Sequence, residues 1–143
     1  MKKADIILII LCLLASVLLG MFFILFRGQG STAVLSYDGA EISVINLSES
    51  GMTYYLVRKT DQGIVVETYE LYPELPVEGD FNLFSVSNGS VNMAAADCKD
   101  QICVHHRPIA AVGESVICLP HQLVVEITDR AMPYDIMLDG VVE

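Results

Sequence analysis

The hydrophobic residues of this chain follow two patterns, one continuous run near the N-terminus and a series of short runs after it. The continuous run covers residues 6–26 and contains no charged side chain. At about 1.5 Å rise per residue, a helix over this run would reach roughly 30 Å, the thickness of the hydrocarbon core of a membrane. The pattern predicts a transmembrane helix over residues 6–26.

A cleaved signal peptide is the alternative interpretation of this run. The apolar core of a signal peptide is usually about 7 to 15 residues long and is followed by a small-residue cleavage site. Here the run is longer and ends with large side chains such as Phe22, Phe23 and Phe26. We therefore expect an uncleaved anchor, in which Cys12, preceded by Leu11, is an apolar filler rather than a lipid attachment site.

The positive charges that flank the run predict its orientation. Lys2, Lys3 and the amino terminus precede the helix, whereas Arg27 is the only cation that follows it closely. Because positive residues stay on the cytoplasmic side, residues 1–5 are expected to form a cytoplasmic tip. Everything after the helix is then expected outside the cytoplasmic membrane.

The remainder of the chain reads as a short tether followed by β-strands. Residues 27–32 are polar and contain glycine, which is typical of a flexible tether, and residues 33–143 are expected to form one domain. Asp38-Gly39 and Asn88-Gly89 are two-residue hairpin turns. Between the turns lie runs with strand composition: AVLSY, EISVINL, MTYYLVRK, IVVETYE, DFNLFSV, SVNMAAADC, SVICLP and QLVVEITD.

The segment 71–80 interrupts these strands. It contains Pro73 and Pro76, which cannot donate to a strand ladder, so it is expected to be a loop that crosses from one group of hairpins to the next. No window after the anchor has a helical period. The fold class is therefore all-β, with short antiparallel strands behind one N-terminal helix.

The charge of the outer domain limits its partners. Residues after Arg27 include 17 acidic and 5 basic side chains, a net charge of −12. Binding to nucleic acid depends on Lys and Arg that neutralise phosphates. We therefore expect that the domain does not bind nucleic acid. The expected partners are the membrane, through residues 6–26, and a membrane or extracytoplasmic protein.

Candidate chemistry is concentrated between Cys98 and His121, a stretch that contains three of the four cysteines and all three histidines. Two blocks within it and the strand that follows resemble the NusG domain II family: ADC-x4-C, which ends at Cys103, the run GESVICLPH over residues 113–121, and LVVEI over residues 123–127. The resemblance implies a small barrel-like or sandwich β domain, found in some members alone behind a membrane helix. It implies no reaction, and because NGN and KOW segments are lacking, no role in transcription. Some anchored members resemble components found with flavin-based extracytoplasmic electron-transfer systems.

Three interpretations of the cysteine and histidine residues are open. Two of Cys98, Cys103 and Cys118 could form a disulfide, as an extracytoplasmic location permits, with Cys98 and Cys103 close in sequence. Cys118 and His121 could instead bind a metal ion, with Cys98, Cys103 and either His105 or His106 as the remaining ligands. In an iron–sulfur version of this site, the ligands would be Cys103, His105, Cys118 and His121. The third interpretation pairs Cys103 as a nucleophile with His105 or the adjacent His106 as its base.

The function expected from these features is that of a membrane-anchored extracytoplasmic accessory or protein-interaction module, without catalytic residues or a resident cofactor. The alternative is a redox or metal-handling component of an extracytoplasmic electron-transfer system that uses the cluster from Cys98 to His121. Metal bound to the purified protein would distinguish the two classes.

Overall fold

An N-terminal helix and eight antiparallel strands make up the described part of this protein, whose structure is a computed structural model. Residues 3–25, 28–76 and 79–130 are described. The predictions for residues 1–2 of the cytoplasmic tip, for 26–27 where the anchor meets the tether, for 77–78 in the proline loop and for 131–143 of the domain lie outside them. The elements are α1 (Lys3–Leu25), β1 (Thr32–Tyr37), β2 (Ala40–Asn46), β3 (Met52–Thr60), β4 (Gly63–Tyr69), β5 (Phe81–Ser87), β6 (Ser90–Ala96), β7 (Ser115–Cys118) and β8 (Leu123–Thr128).

The helix α1 has the length and composition of a membrane-spanning segment. Within it, the 19 residues Asp5–Phe23 are apolar enough to cross a membrane. The large apolar side chains from Ile6 to Phe23 are exposed on every side of the helix. A helix that is apolar all round is typical of one that faces lipid.

All eight predicted strands are present, and the two predicted hairpin turns join neighbouring strands. Asp38 and Gly39 have φ angles of 49° and 77°, and Asn88 and Gly89 have φ angles of 50° and 72°. Positive φ at both central residues is the requirement of a type I′ turn, which Asn, Asp and Gly tolerate best. The turn residues therefore set these hairpins as the sequence indicates.

The strands form two four-stranded sheets, which confirms the sandwich-like all-β fold. The first sheet has the order β2-β1-β8-β7, and the second has the order β4-β3-β5-β6. The chain passes between the sheets twice, after β2 and again after β6. As predicted, the proline loop 71–80 connects one hairpin, β3–β4, to the next, β5–β6. Both hairpins belong to the second sheet, because β4 and β5 both pair with β3.

The core lies between the sheets and is built from alternate residues of the strands. In the first sheet, Leu35 of β1 lies opposite Val125 of β8, and both are fully buried. In the second sheet, Phe84 is fully buried and stacks on Tyr55 with ring centroids 5.3 Å apart. The outer face of the second sheet has a smaller apolar cluster, in which Leu75 of the proline loop packs near Leu83. That loop therefore covers β-sheet surface instead of linking the sheets.

Part of the expected tether is hydrogen-bonded to the domain. The Gly30 N–H donates to the Ala110 carbonyl at 2.9 Å, and the Ser31 N–H donates to the Thr128 carbonyl at 3.1 Å. Gln29 forms an isolated bridge with Ala111. The chain therefore joins the β domain from Gly28 onward, beside the end of β8.

Candidate functional site

The cysteines lie where the chain makes its second passage between the sheets. Cys98 follows the end of β6, Cys103 lies in the crossover loop, and Cys118 is the last residue of β7. Because β6 belongs to the second sheet and β7 to the first, this crossover brings the three side chains to one end of the sandwich.

The three thiols form a compact buried cluster. Their Sγ atoms all lie within 4.8 Å of one another, and the Sγ atoms of Cys98 and Cys103 are 3.6 Å apart. The exposed fractions are 6% for Cys98, 3% for Cys103 and 1% for Cys118. The structure has all three as free thiols.

The loop between Cys98 and Cys103 is held by the backbone of Gln101. Gln101 has a φ of 49°, a left-handed conformation that is uncommon for a residue other than glycine. Its carbonyl accepts the N–H groups of Val104 at 3.0 Å and His105 at 3.1 Å. Its own N–H donates to the Cys98 sulfur. The turn therefore fixes the two cysteines and points a backbone donor at one of them.

Burial controls the electrostatics of the cluster. Removal from water disfavours a thiolate and raises the pKa of Cys98, and burial together with the neighbouring sulfurs raises the pKa of Cys103 to about 12. A reactive cysteine needs the opposite, a pKa lowered by a nearby cation, histidine or helix N-terminus. Cys98 and Cys103 are therefore protonated at neutral pH unless a cation binds them.

His105 and His106 lie outside the thiol cluster. The Nδ1 atom of His105 lies 2.9 Å from the Gln101 carbonyl, and the Nδ1 atom of His106 lies 2.7 Å from the Arg107 carbonyl. Both side chains are exposed. In the described structure, neither histidine forms a hydrogen bond with Cys103, so the geometry gives no support for a cysteine–histidine pair.

His121 is buried and is held by two polar side chains. Its Nδ1 atom lies 2.7 Å from the Asn82 Oδ1 atom, and its Nε2 atom lies 3.2 Å from the Asp97 Oδ1 atom. The same Asp97 oxygen accepts the Phe81 N–H at 2.9 Å. Asp80, Asp97 and His121 bring ligand atoms within 4.8 Å of one another, in a group separate from the thiols.

Asn82 links the histidine to the thiol cluster. It is 2% exposed and is the second residue of β5. Its amide Nδ2 atom lies 3.7 Å from the Met93 sulfur and 3.9 Å from the Cys103 sulfur, while its Oδ1 atom faces His121. The cluster expected from the sequence is thus divided. The structure brings the three cysteines together and leaves His105 exposed, and Asn82 lies between His121 and the Cys103 sulfur.

Asn82 and Asp97 are the site residues that the sequence analysis missed. Asn82 is the only asparagine in the run DFNLFSV and has apolar neighbours, and this pattern could have indicated it as a site residue. Burial of a polar side chain requires a hydrogen-bond partner. Asp97 directly precedes Cys98 in the ADC block and could have been noted for that reason.

An exposed group of apolar side chains surrounds the thiol cluster, and we call Ile102, Ile117 and Leu119 the apolar rim. Their exposed fractions are 75%, 48% and 80%. They line an open pocket of about 180 Å³ whose floor includes the three cysteines. The apolar rim therefore borders a pocket that reaches the buried thiols.

The apolar rim lies at the end of the first sheet opposite to the entry of the chain. β1 starts with Thr32 beside Thr128 and ends with Tyr37 beside Leu123, and β7 ends with Cys118 beside the same Leu123. At about 3.3 Å per strand residue, the two ends of β1 are roughly 17 Å apart.

The fold and the site together define a small β-sandwich domain that follows a helix of membrane-spanning length and carries a buried thiol cluster. The model of the family described as NusG domain II matches residues 6–131. The chain belongs to the NusG domain II family, as its resemblance over Cys98 to Ile127 predicts.

Several solved structures of bacterial proteins are similar to this chain. A DUF1312 family protein from Ruminococcus gnavus is 30% identical, with 68% of this chain and 96% of that chain covered and a TM-score of 0.46. A DUF1312 family protein from Enterococcus faecalis is 26% identical, with 70% and 98% covered and a TM-score of 0.53. The Lin0431 protein from Listeria innocua is 21% identical, with 82% and 92% covered and a TM-score of 0.52. The search of curated proteins found no match.

Proposed function

We propose that this chain is a membrane-anchored accessory module whose β domain, outside the cytoplasmic membrane, binds a protein partner. In this proposal α1 spans the membrane and residues 1–5 lie in the cytoplasm. The length and apolar surface of α1 support the anchor. The orientation is supported by Lys2 and Lys3, which precede the helix.

The observation that carries the proposal is the apolar rim on a strongly acidic domain. Ile102 and Leu119 expose 75% and 80% of their surface to solvent. Contiguous exposed apolar side chains mark sites of interaction. Because the apolar rim and the entry of the chain lie at opposite ends of the first sheet, the apolar rim suits a partner protein better than the bilayer in which the chain is anchored.

Charge indicates the chemistry of the partner. The residues after Arg27 have a net charge of −12, so a partner with basic side chains around an apolar contact would complement this surface. Such complementarity speeds association and selects partners more than it adds affinity. The proposed partner is therefore a membrane or extracytoplasmic protein with an apolar contact surrounded by basic residues.

The state of the thiols supports a module without catalysis. A pKa of Cys103 raised to about 12 by burial keeps its sulfur protonated, whereas a nucleophile must be a thiolate. His105 is directed to the Gln101 carbonyl and does not face this sulfur.

Site-specific cross-linking in intact cells tests the proposal. A photoreactive residue replaces Leu119 in the apolar rim or, as the control, Leu71 in the proline loop, which is 82% exposed. We expect a discrete protein adduct from position 119 and none from position 71. Absence of an adduct at 119, or the same adducts from both positions, would contradict the proposal.

A further inference from the structure

The spacing of the three buried sulfurs is that of a metal site. A metal ion that binds three sulfurs in a plane at about 2.3 Å holds them roughly 4.0 Å from one another. The Sγ atoms of Cys98 and Cys103 are 3.6 Å apart, and no pair in the cluster with Cys118 exceeds 4.8 Å. Small rotations of the side chains would therefore bring all three sulfurs to one ion.

The described structure offers no fourth ligand to such an ion. His121 has both ring nitrogens directed to other partners, Asn82 and Asp97. His105 is exposed and directed to the Gln101 carbonyl. On the solvent side, the pocket is bordered by the apolar rim together with Asp100, Gln101 and Pro120. Among the described residues, no carboxylate oxygen or histidine nitrogen lies within 4.8 Å of all three sulfurs.

Two hydrogen-bond donors already point at the sulfurs. The Gln101 N–H donates to the Cys98 sulfur, and the Asn82 amide lies 3.9 Å from the Cys103 sulfur. Donors of this kind orient metal ligands and stabilise their charged form.

We propose that Cys98, Cys103 and Cys118 form a three-sulfur site for a soft cation of low coordination number, Cu(I). Thiolate ligands select soft ions, and structural zinc sites in proteins have four ligands. Each sulfur that binds the ion releases its proton to solvent, so that a cation replaces the protons of the buried thiols. The site does not depend on the proposed partner, because the metal would bind the isolated chain.

A competition titration tests the site. The full-length chain in detergent is reduced, freed of reductant under anaerobic conditions and titrated with Cu(I) against the chelator bathocuproine disulfonate. We expect one Cu(I) per chain. The variants Cys103→Ser and Cys118→Ser should lower the affinity by more than about 100-fold, since even outer groups of a metal site contribute 10- to 100-fold. Cys12→Ser, which changes the exposed cysteine of α1, should leave the affinity unchanged.

X-ray absorption of the loaded wild-type protein keeps the test independent of whether a variant folds. Three sulfur neighbours and no nitrogen support the site. A nitrogen neighbour, or Zn(II) that binds more tightly than Cu(I), would overturn it. A bridge between Cys98 and Cys103 in protein exported and isolated without reductant, detected by thiol counting, would overturn it as well. None of these results depends on whether the partner adduct at Leu119 is found.

Discussion

Replacement of Asn82 by alanine should lower the stability of the β domain more than any comparable change on a strand surface. Asn82 is 2% exposed and faces the buried His121, whose Nδ1 atom lies 2.7 Å from its Oδ1 atom. Without the amide, the ring nitrogen loses its partner in the interior. A buried polar group without a hydrogen bond costs about 1–3 kcal/mol, and the small cavity adds about 1 kcal/mol.

The expected loss of about 2–4 kcal/mol is large enough to measure by thermal unfolding. For a domain of this size, each kcal/mol lowers Tm by about 4 °C, which gives a decrease on the order of 10 °C. The near-ultraviolet signal of tyrosine reports on the β domain in the full-length chain, because all six tyrosines follow the helix and the chain has no tryptophan.

A matched variant controls for the loss of an asparagine on a strand. Asn92 lies on β6 and is partly exposed, so Asn92→Ala should lower Tm by only a few degrees. If the two variants lose the same stability, or if Asn82→Ala melts as the wild type does, the network of Asn82 and His121 does not hold this end of the sandwich.

Three further predictions concern the rest of the chain. The carboxylate of Glu114 accepts hydrogen bonds from Arg107 and from two backbone N–H groups, and these lower its pKa to about 2. The ionised carboxylate therefore stabilises the fold above the ordinary pKa of a glutamate, and this stabilisation is lost as the pH falls toward 2. In urea unfolding, Glu114→Gln should be less stable than the wild type at pH 7 and equally stable near pH 2. Gly30→Ala would place a methyl group against the Ile127 side chain and 2.9 Å from the Thr128 carbonyl oxygen. Overpacking should lower the stability by about 1–3 kcal/mol in the same assay. An unchanged midpoint would show that residues 28–31 are not fixed to the domain. Protease added to intact cells should remove the β domain and leave the cytoplasmic end of α1 in the membrane, whereas full protection of the domain would reverse the proposed orientation.

Local patterns in the sequence were enough to predict the helix, the strands and the turns. The strand runs are short, rich in β-branched residues and separated by turn residues such as Asp38-Gly39, so each hairpin follows from neighbouring residues. Pairing between distant strands is not encoded locally. Nothing in the run of β8 indicates that it pairs with β1, about 90 residues earlier, with Val125 opposite Leu35.

The site was predictable only in part for the same reason. Closeness in sequence indicated Cys98 and Cys103 as the disulfide pair, and the structure has them as free thiols with their sulfurs 3.6 Å apart. The separation of His121 from the thiols depends on Asn82, which approaches from a different strand 39 residues away. The docking of Gly30 on the domain likewise depends on contacts with Ala110, far along the chain.

The central claim is that the apolar rim binds the partner protein. It is tested most directly by measuring whether a chain with a charge placed in the apolar rim still recovers that partner. Leu119 and Leu71 are exposed to nearly the same extent, 80% and 82%, so Leu119→Asp and Leu71→Asp add the same charge with little effect on folding. The protein cross-linked at position 119 is measured in purifications of each intact variant from membranes. We predict that Leu119→Asp loses this protein and that Leu71→Asp retains it at the wild-type level. Equal recovery by both variants would contradict the assignment of the apolar rim as the docking surface.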